Sequence, residues 1–281
     1  MDHRRVKKGK KKAIVFAGEK AGCLRLCVSA SLRDLRRRSL GSQRHRVVQR
    51  PLRGVNPSEI QRAAGVLVPG GDTWPKRDAE EATSRDGHAV GAQTPVVIER
   101  GLQTSLRDMV EAGGIYTGVC GGAFLGACLP AFGLSKKVWP VWAGDFGDSP
   151  GFMEGHVRLC ASWTAPLEFR AALRQLTARQ VYYENGPLFR CRESRNVRVL
   201  ATFGSRLQVV RPHPAPLRKA LARQPGKAAA VACRLGKGCV VLLSPHPELT
   251  AGCVGVLALL WSGAEAWAAG AGRASVQSRF V

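Results

Sequence analysis

Two apolar runs that stop at glycines constrain this chain more than any other feature. "AAGVLVPGGD" (63–72) and "GGIYTGVCGG" (113–122) each carry a short apolar stretch closed by a glycine-rich break. A strand with one wet face alternates polar and apolar residues, whereas one that is apolar at every position is covered on both faces. "KKAIVFAG" (11–18) and "GKGCVVLLS" (236–244) read the same way, and "RVVQRPL" (46–52) is a further strand candidate. Between them, "AGCLRLCVSASLRDLRRR" (21–38) and "PVVIERGLQTSLRDMVEAGG" (95–114) space their apolar residues as helices do. The second closes on Gly113-Gly114, a helix-ending signal. Strands alternating with helices predict an α/β fold, an open and mostly parallel sheet with helices on both faces. Residues 73–95 lack periodicity and read as a surface loop. The expected organisation is a basic leader (1–12), one α/β domain (13–270) and a short tail (271–281).

Composition narrows the classes of function. A chain of 281 residues that is 45% hydrophobic can bury a substantial core. Nine cysteines are too few and too odd in number for a disulfide scaffold. The start of the chain is basic and lacks the apolar centre of a signal peptide, so reduced thiols and an intracellular, cytoplasmic setting are expected. "CVGVLALLWSGAEAWAAGAG" (253–272) is interrupted by Glu265 and glycines and reads as a buried helix, so no membrane span is expected. The net charge of +23 is uneven: residues 1–53 hold 17 Lys and Arg against Asp2, Glu19 and Asp34. Such a leader suits an anionic partner, or an organellar or nuclear address, and equally a solvated face. No zinc-finger spacing and no aromatics among the basic residues argue for nucleic-acid binding.

Both glycine-rich breaks follow strands, and in parallel sheets functional groups gather at the carboxyl ends of strands. A nucleophile between strand and helix needs a turn too tight for bulky neighbours, with small residues two before and two after it. Gly118 and Gly122 occupy those places around Cys120. A helix beginning at "GGAFLGAC" would favour a thiolate there through its first amides. Gly121 could supply one oxyanion donor and Gly70 or Gly71 the other. The same residues also suit a buried structural thiol at a small-residue junction. A thiol nucleophile needs a base with an orienting group. His3, His45, His88 and His213 lie in loop-like segments, and His156 in one without a clear pattern. His246 instead follows an apolar strand in "SPHPEL", with Glu248 two residues on and Pro245 and Pro247 stiffening the turn.

A Gly-x-Cys-x-Gly elbow followed far downstream by His-Pro-Glu resembles the class I glutamine amidotransferase-like superfamily. "LVPGGD", "GGIYTGVCGGAFLGAC", "VYYENGPLF" and "AAAVACRLGKGCVVLLSPHPEL" are most similar to the amidotransferase-like domain at the N-terminus of biotin-protein ligases, also found as a stand-alone protein. The resemblance implies a flavodoxin-like sheet and a triad of Cys120 as nucleophile, His246 as general base and acid, and Glu248 as orienter. It further implies attack on an amide or ester carbonyl, a thioester intermediate and release by water. Cys128, eight residues on, would be a packed helix thiol. Tyr183, Asn185 and Gly186 would line the substrate pocket. The substrate would be a small molecule or a side-chain amide, with no cofactor or metal, and a synthetase or ligase would be the partner protein. The 33 residues after Glu248 are too few for a ligase catalytic domain. Residues 135–180 match the resemblance loosely. Two classes stay open, a Cys-dependent hydrolase or amidotransferase and a non-catalytic small-molecule-binding or regulatory module. Binding of an anionic partner through the basic N-terminus is a weaker third.

Overall fold

The computed structural model describes residues 12–17, 46–51, 55–70, 100–134, 137–141, 154–209, 224–253 and 255–277. The basic leader up to Lys11, the helix expected over 21–38, the surface loop 73–95, Gly71 and the last four residues of the tail lie outside them. In chain order the elements are β1 (Lys12–Ala17), β2 (Arg46–Pro51), α1 (Pro57–Gln61), β3 (Gly65–Val68), α2 (Arg100–Glu111), β4 (Ile115–Val119), α3 (Gly121–Cys128), β5 (Val138–Val141), β6 (Glu154–Ala161), α4 (Arg170–Thr177), β7 (Gln180–Glu184), β8 (Leu188–Cys191), β9 (Val197–Phe203), β10 (Gln208–Val209), β11 (Ala228–Leu235), β12 (Gly238–Leu243) and α5 (Val256–Gln277).

The strands read from the sequence form the parallel half of one mixed sheet, in the order β2–β1–β3–β4–β12. Beyond β12 the sheet continues antiparallel through β11, β9, β6 and β10, with β7 on β6 and β8 on β11 carrying β5. Alternation along each parallel strand feeds two cores. Ile115 and Val119 face Leu243, Leu257 and Trp261 on the α5 side. Tyr116 faces Leu106, Val240 and Leu242 on the α2 and α3 side. Helices therefore cover both faces, as the apolar strands require. α2 buries Leu102, Leu106, Met109 and Val110, a stripe at helical spacing. It ends before Gly113, whose φ of 108° only glycine adopts without strain. No described helix is long and apolar enough to cross a membrane.

Residues 154–180 are part of the core. On β6, Val157 and Leu159 point inward while His156 and Arg158 are exposed, the period-two pattern of a half-buried strand. α4 adds Leu173 and Leu176 against α5.

Candidate functional site

Cys120 is the single residue between β4 and α3. Its amide donates to the Leu243 carbonyl on β12 at 2.8 Å, and its carbonyl accepts from Ala123 and Phe124 in the first turn of α3. Bound on both sides, it is held at φ 49° and ψ −110°. For a residue other than glycine such a conformation costs on the order of 1–3 kcal/mol, and surrounding structure must supply it. The glycines show how. A Cβ on Gly118 would stand 2.5 Å from the Gly122 carbonyl carbon, and one on Gly122 would be driven into the Val68 carbonyl oxygen. The flanking positions are glycine because the turn brings backbone against backbone. The Tyr116 hydroxyl, buried beneath the helix, donates to the Gly122 carbonyl at 2.8 Å and fixes the same turn from below.

His246 and Glu248 lie in the turn after β12, where Pro247–Leu249 forms a single 3-10 turn. Glu248 Oε1 is 3.0 Å from His246 Nδ1, and the two side chains are 0% and 1% exposed. Opposite an ionised carboxylate, which only accepts, Nδ1 would carry the proton and Nε2 would be the basic nitrogen. The imidazole backbone is clamped twice. His246 donates its amide to the Tyr182 carbonyl at 2.7 Å, and its own carbonyl accepts from the Thr250 hydroxyl at 2.7 Å. That hydroxyl also accepts from the Tyr182 amide at 2.9 Å.

Gly70, at the end of β3, joins the two halves. A Cβ there would be driven into His246 Cε1 and would stand 2.7 Å from Cys120 Cβ. The elbow, the imidazole and the glycine break thus meet at one point on the carboxyl edge of the parallel strands. Gly121 is the first residue of α3, so its amide has no carbonyl within the helix to take it. Gly71 is outside the described residues.

The segment after β7 closes over the thiol. Cys120 Sγ donates to the Glu184 carbonyl at 3.1 Å, and Cys120 is 8% exposed. Asn185 has φ 49°, a conformation asparagine tolerates better than most residues. Gly186 leaves room for Ser244, and a Cβ there would stand 2.6 Å from Ser244 Oγ. Tyr183 is buried and donates to the Gly186 carbonyl at 2.7 Å. Burial pushes its phenol well up, the Cys120 charge pushes it further, and His246 opposes, so it senses both groups. Cys128, expected to be a packed helix thiol, instead ends α3 as an exposed residue, because the helix stops there and its last position faces away from the core.

Sequence reading missed three contributors. The Glu184 carbonyl and the Thr250 hydroxyl act through hydrogen bonds that no residue type announces. Tyr182 was signalled by alternation in "VYYEN": it shares a face with Glu184, opposite Tyr183. Its ring lies 5.8 Å from that of His246, and its hydroxyl lies 3.0 Å from Glu154 Oε1 and 3.1 Å from Glu184 Oε2. Burial first, then the Glu184 charge, pushes that phenol far above its ordinary value. Among the described residues no cluster of three or more His, Cys, Asp or Glu could hold a metal ion.

Residues 162–258 match the family described as biotin-protein ligase, N terminal. That stretch, about a third of the chain, includes Tyr183, Asn185, Gly186, His246 and Glu248 and begins after Cys120, which lies outside it. The solved structure of a ThuA-like protein from Bacteroides uniformis is similar at 10% identity and a TM-score of 0.51, covering 92% of this chain and 91% of that one. A ThuA-like protein from Parabacteroides merdae is similar at 14% identity and a TM-score of 0.50, over 92% and 90%. A glutamine amidotransferase from Methylobacillus flagellatus aligns at 14% identity and a TM-score of 0.46, over 87% and 72%. No curated protein matches the sequence. The fold is a mostly parallel α/β sheet with helices on both faces, shared with the ThuA-like proteins, and the resemblance of residues 162–258 to the biotin-protein ligase N-terminal domain stands.

Proposed function

We propose that the chain is a cysteine-dependent amidohydrolase or amidotransferase subunit that uses Cys120, His246 and Glu248. The observation that carries this reading is the fully buried His246–Glu248 pair, 3.0 Å apart, meeting a strained cysteine elbow across Gly70. A thiol released from the Glu184 carbonyl would have the imidazole close by, since Cys120 and His246 both border Gly70. In that arrangement His246 takes the thiol proton as sulfur attacks an amide carbonyl, and the Gly121 amide, with Gly70 or Gly71, receives the oxyanion. Collapse to the thioester expels the amine, which leaves with the proton held by His246. Water then attacks the thioester and loses a proton to His246, which passes it to the departing sulfur, releasing a carboxylic acid and restoring the thiol. Glu248 holds Nδ1 throughout and stabilises the imidazolium.

Tyr183, Asn185 and Gly186 would border the acyl group, on a small-molecule or side-chain amide. A synthetase or ligase partner would consume the ammonia. All seven described cysteines are free, which supports a reducing, intracellular setting.

A second reading, a non-catalytic small-molecule-binding or regulatory module, is favoured by the bond from the Cys120 thiol to the Glu184 carbonyl, which occupies the thiol's proton and covers the sulfur. The two separate on one measurement. Alkylation of Cys120 by iodoacetamide at pH 7, read by peptide mass, should fall at least tenfold in His246→Ala. Equal rates in the two proteins would overturn the enzyme reading.

A further inference from the structure

The solvent side of the β6–β7 ribbon is a ladder of three cross-strand pairs: Glu154 opposite Glu184, His156 opposite Tyr182, and Arg158 opposite Gln180. Its charge changes sign from one end to the other. At the acidic end two carboxylates converge on the Tyr182 hydroxyl, next to the carbonyl that holds the Cys120 thiol. At the basic end a cavity of about 410 Å³ is lined by Arg158, Arg179, Gln180, Thr177, Ala178 and Ala251.

Among the described residues no carboxylate pairs with Arg158 or Arg179. Arg179 is nevertheless placed. A Cβ on Gly252 would stand 2.7 Å from Arg179 Cζ, and Gly252 has φ 80°, so both space and backbone keep that position bare for the guanidinium. The cavity adjoins the site through two chain segments. Ala251 follows Thr250, which clamps His246, and Gln180 lies two residues before Tyr182, which does the same. From Gln180 to Glu184 the strand advances roughly 13 Å.

We propose that Arg158 and Arg179 form an anion subsite for a free carboxylate at the far end of an elongated amide substrate whose carbonyl is presented to Cys120. This rests on Cys120 being the nucleophile. A peptide-like amide about three residues long spans the distance. Glu154 and Glu184 repel the same carboxylate from the thiol end, so the ladder's charge fixes which way round the substrate lies.

The test compares a chloroacetyl tripeptide bearing a free C-terminal carboxylate with its C-terminal amide, each alkylating Cys120 by displacement of chloride. In the wild-type protein the carboxylate form is expected to react roughly tenfold faster. In Arg158→Ala and Arg179→Ala the ratio falls to about one, and in Arg158→Glu it inverts. Equal wild-type rates for the two probes overturn the subsite while leaving the nucleophile intact. If neither probe labels Cys120, the nucleophile reading fails and direct titration decides the subsite. Saturable binding of glutarate that is lost in the Arg158→Ala/Arg179→Ala double variant supports it. Binding of inorganic phosphate alone, or of neither anion, overturns it.

Discussion

Cys120 and Asn185 share a φ of 49°, one on the parallel half of the sheet and the other, next to the Glu184 carbonyl that holds the Cys120 thiol, on the antiparallel half. The equality is superficial. Asparagine enters the left-handed region readily, whereas cysteine does not. Cys120 stays there because backbone bonds to Leu243, Ala123 and Phe124, and the close approach of Gly118 and Gly122, leave no alternative. The parallel half is therefore where strain is stored, and the antiparallel half supplies the cover, the clamp on His246 and the arginine cavity.

Gly122→Ala breaks the comparison most severely, because its Cβ meets the immovable carbonyl of Val68. A loss of about 2–3 kcal/mol in urea unfolding is expected, and a loss under about 0.5 would show that the elbow yields. Thr250→Val removes the hydroxyl that ties β7 to the His246 turn. Cys120 alkylation at pH 7 should slow about tenfold, with Thr250→Ser restoring most of the rate; a Ser variant as slow as Val would mean that the hydrogen bonds are not what positions the imidazole. Cys120→Gly should abolish chemistry and yet stabilise the fold by about 1 kcal/mol, since strain relief exceeds the added freedom of the unfolded chain. Asn185→Gly should change stability by less than about 0.5 kcal/mol, and a gain matching that of Cys120→Gly would erase the distinction between the two residues.

Thiol titration sharpens the contrast from another side. Burial pushes Cys239, and burial with the Glu193 charge pushes Cys191, up to about 12, and burial also raises Cys233. The folded state thus keeps these protons where the unfolded chain, at about 8.5, loses them. Their contribution to stability is complete below that value and is lost as pH climbs toward 12. The urea midpoint should fall between pH 9 and 11, and more gently in a Cys191→Ala/Cys239→Ala variant. At pH 8 a disulfide reagent should label exposed Cys128 and Cys160 and leave these three silent until unfolding.

The amino-acid sequence determined what local sterics can determine. Apolar runs ending in glycine specified the buried parallel strands, and Gly118 marked the elbow, because its close contact is with the Gly122 backbone only four residues on. Pro-His-Pro-Glu likewise announced an imidazole with a carboxylate two residues on. Tertiary structure decided the rest. Alanine-rich β11 has the composition of a helix and becomes a strand because β9 and β12 pair with both its edges. The partner of the Cys120 thiol is a main-chain carbonyl, which any residue type could supply. The two arginines line one cavity because β6 and β7 lie in a register that places Arg158 opposite Gln180, and that register is set by the burial of Val157, Val181 and Tyr183 in the core.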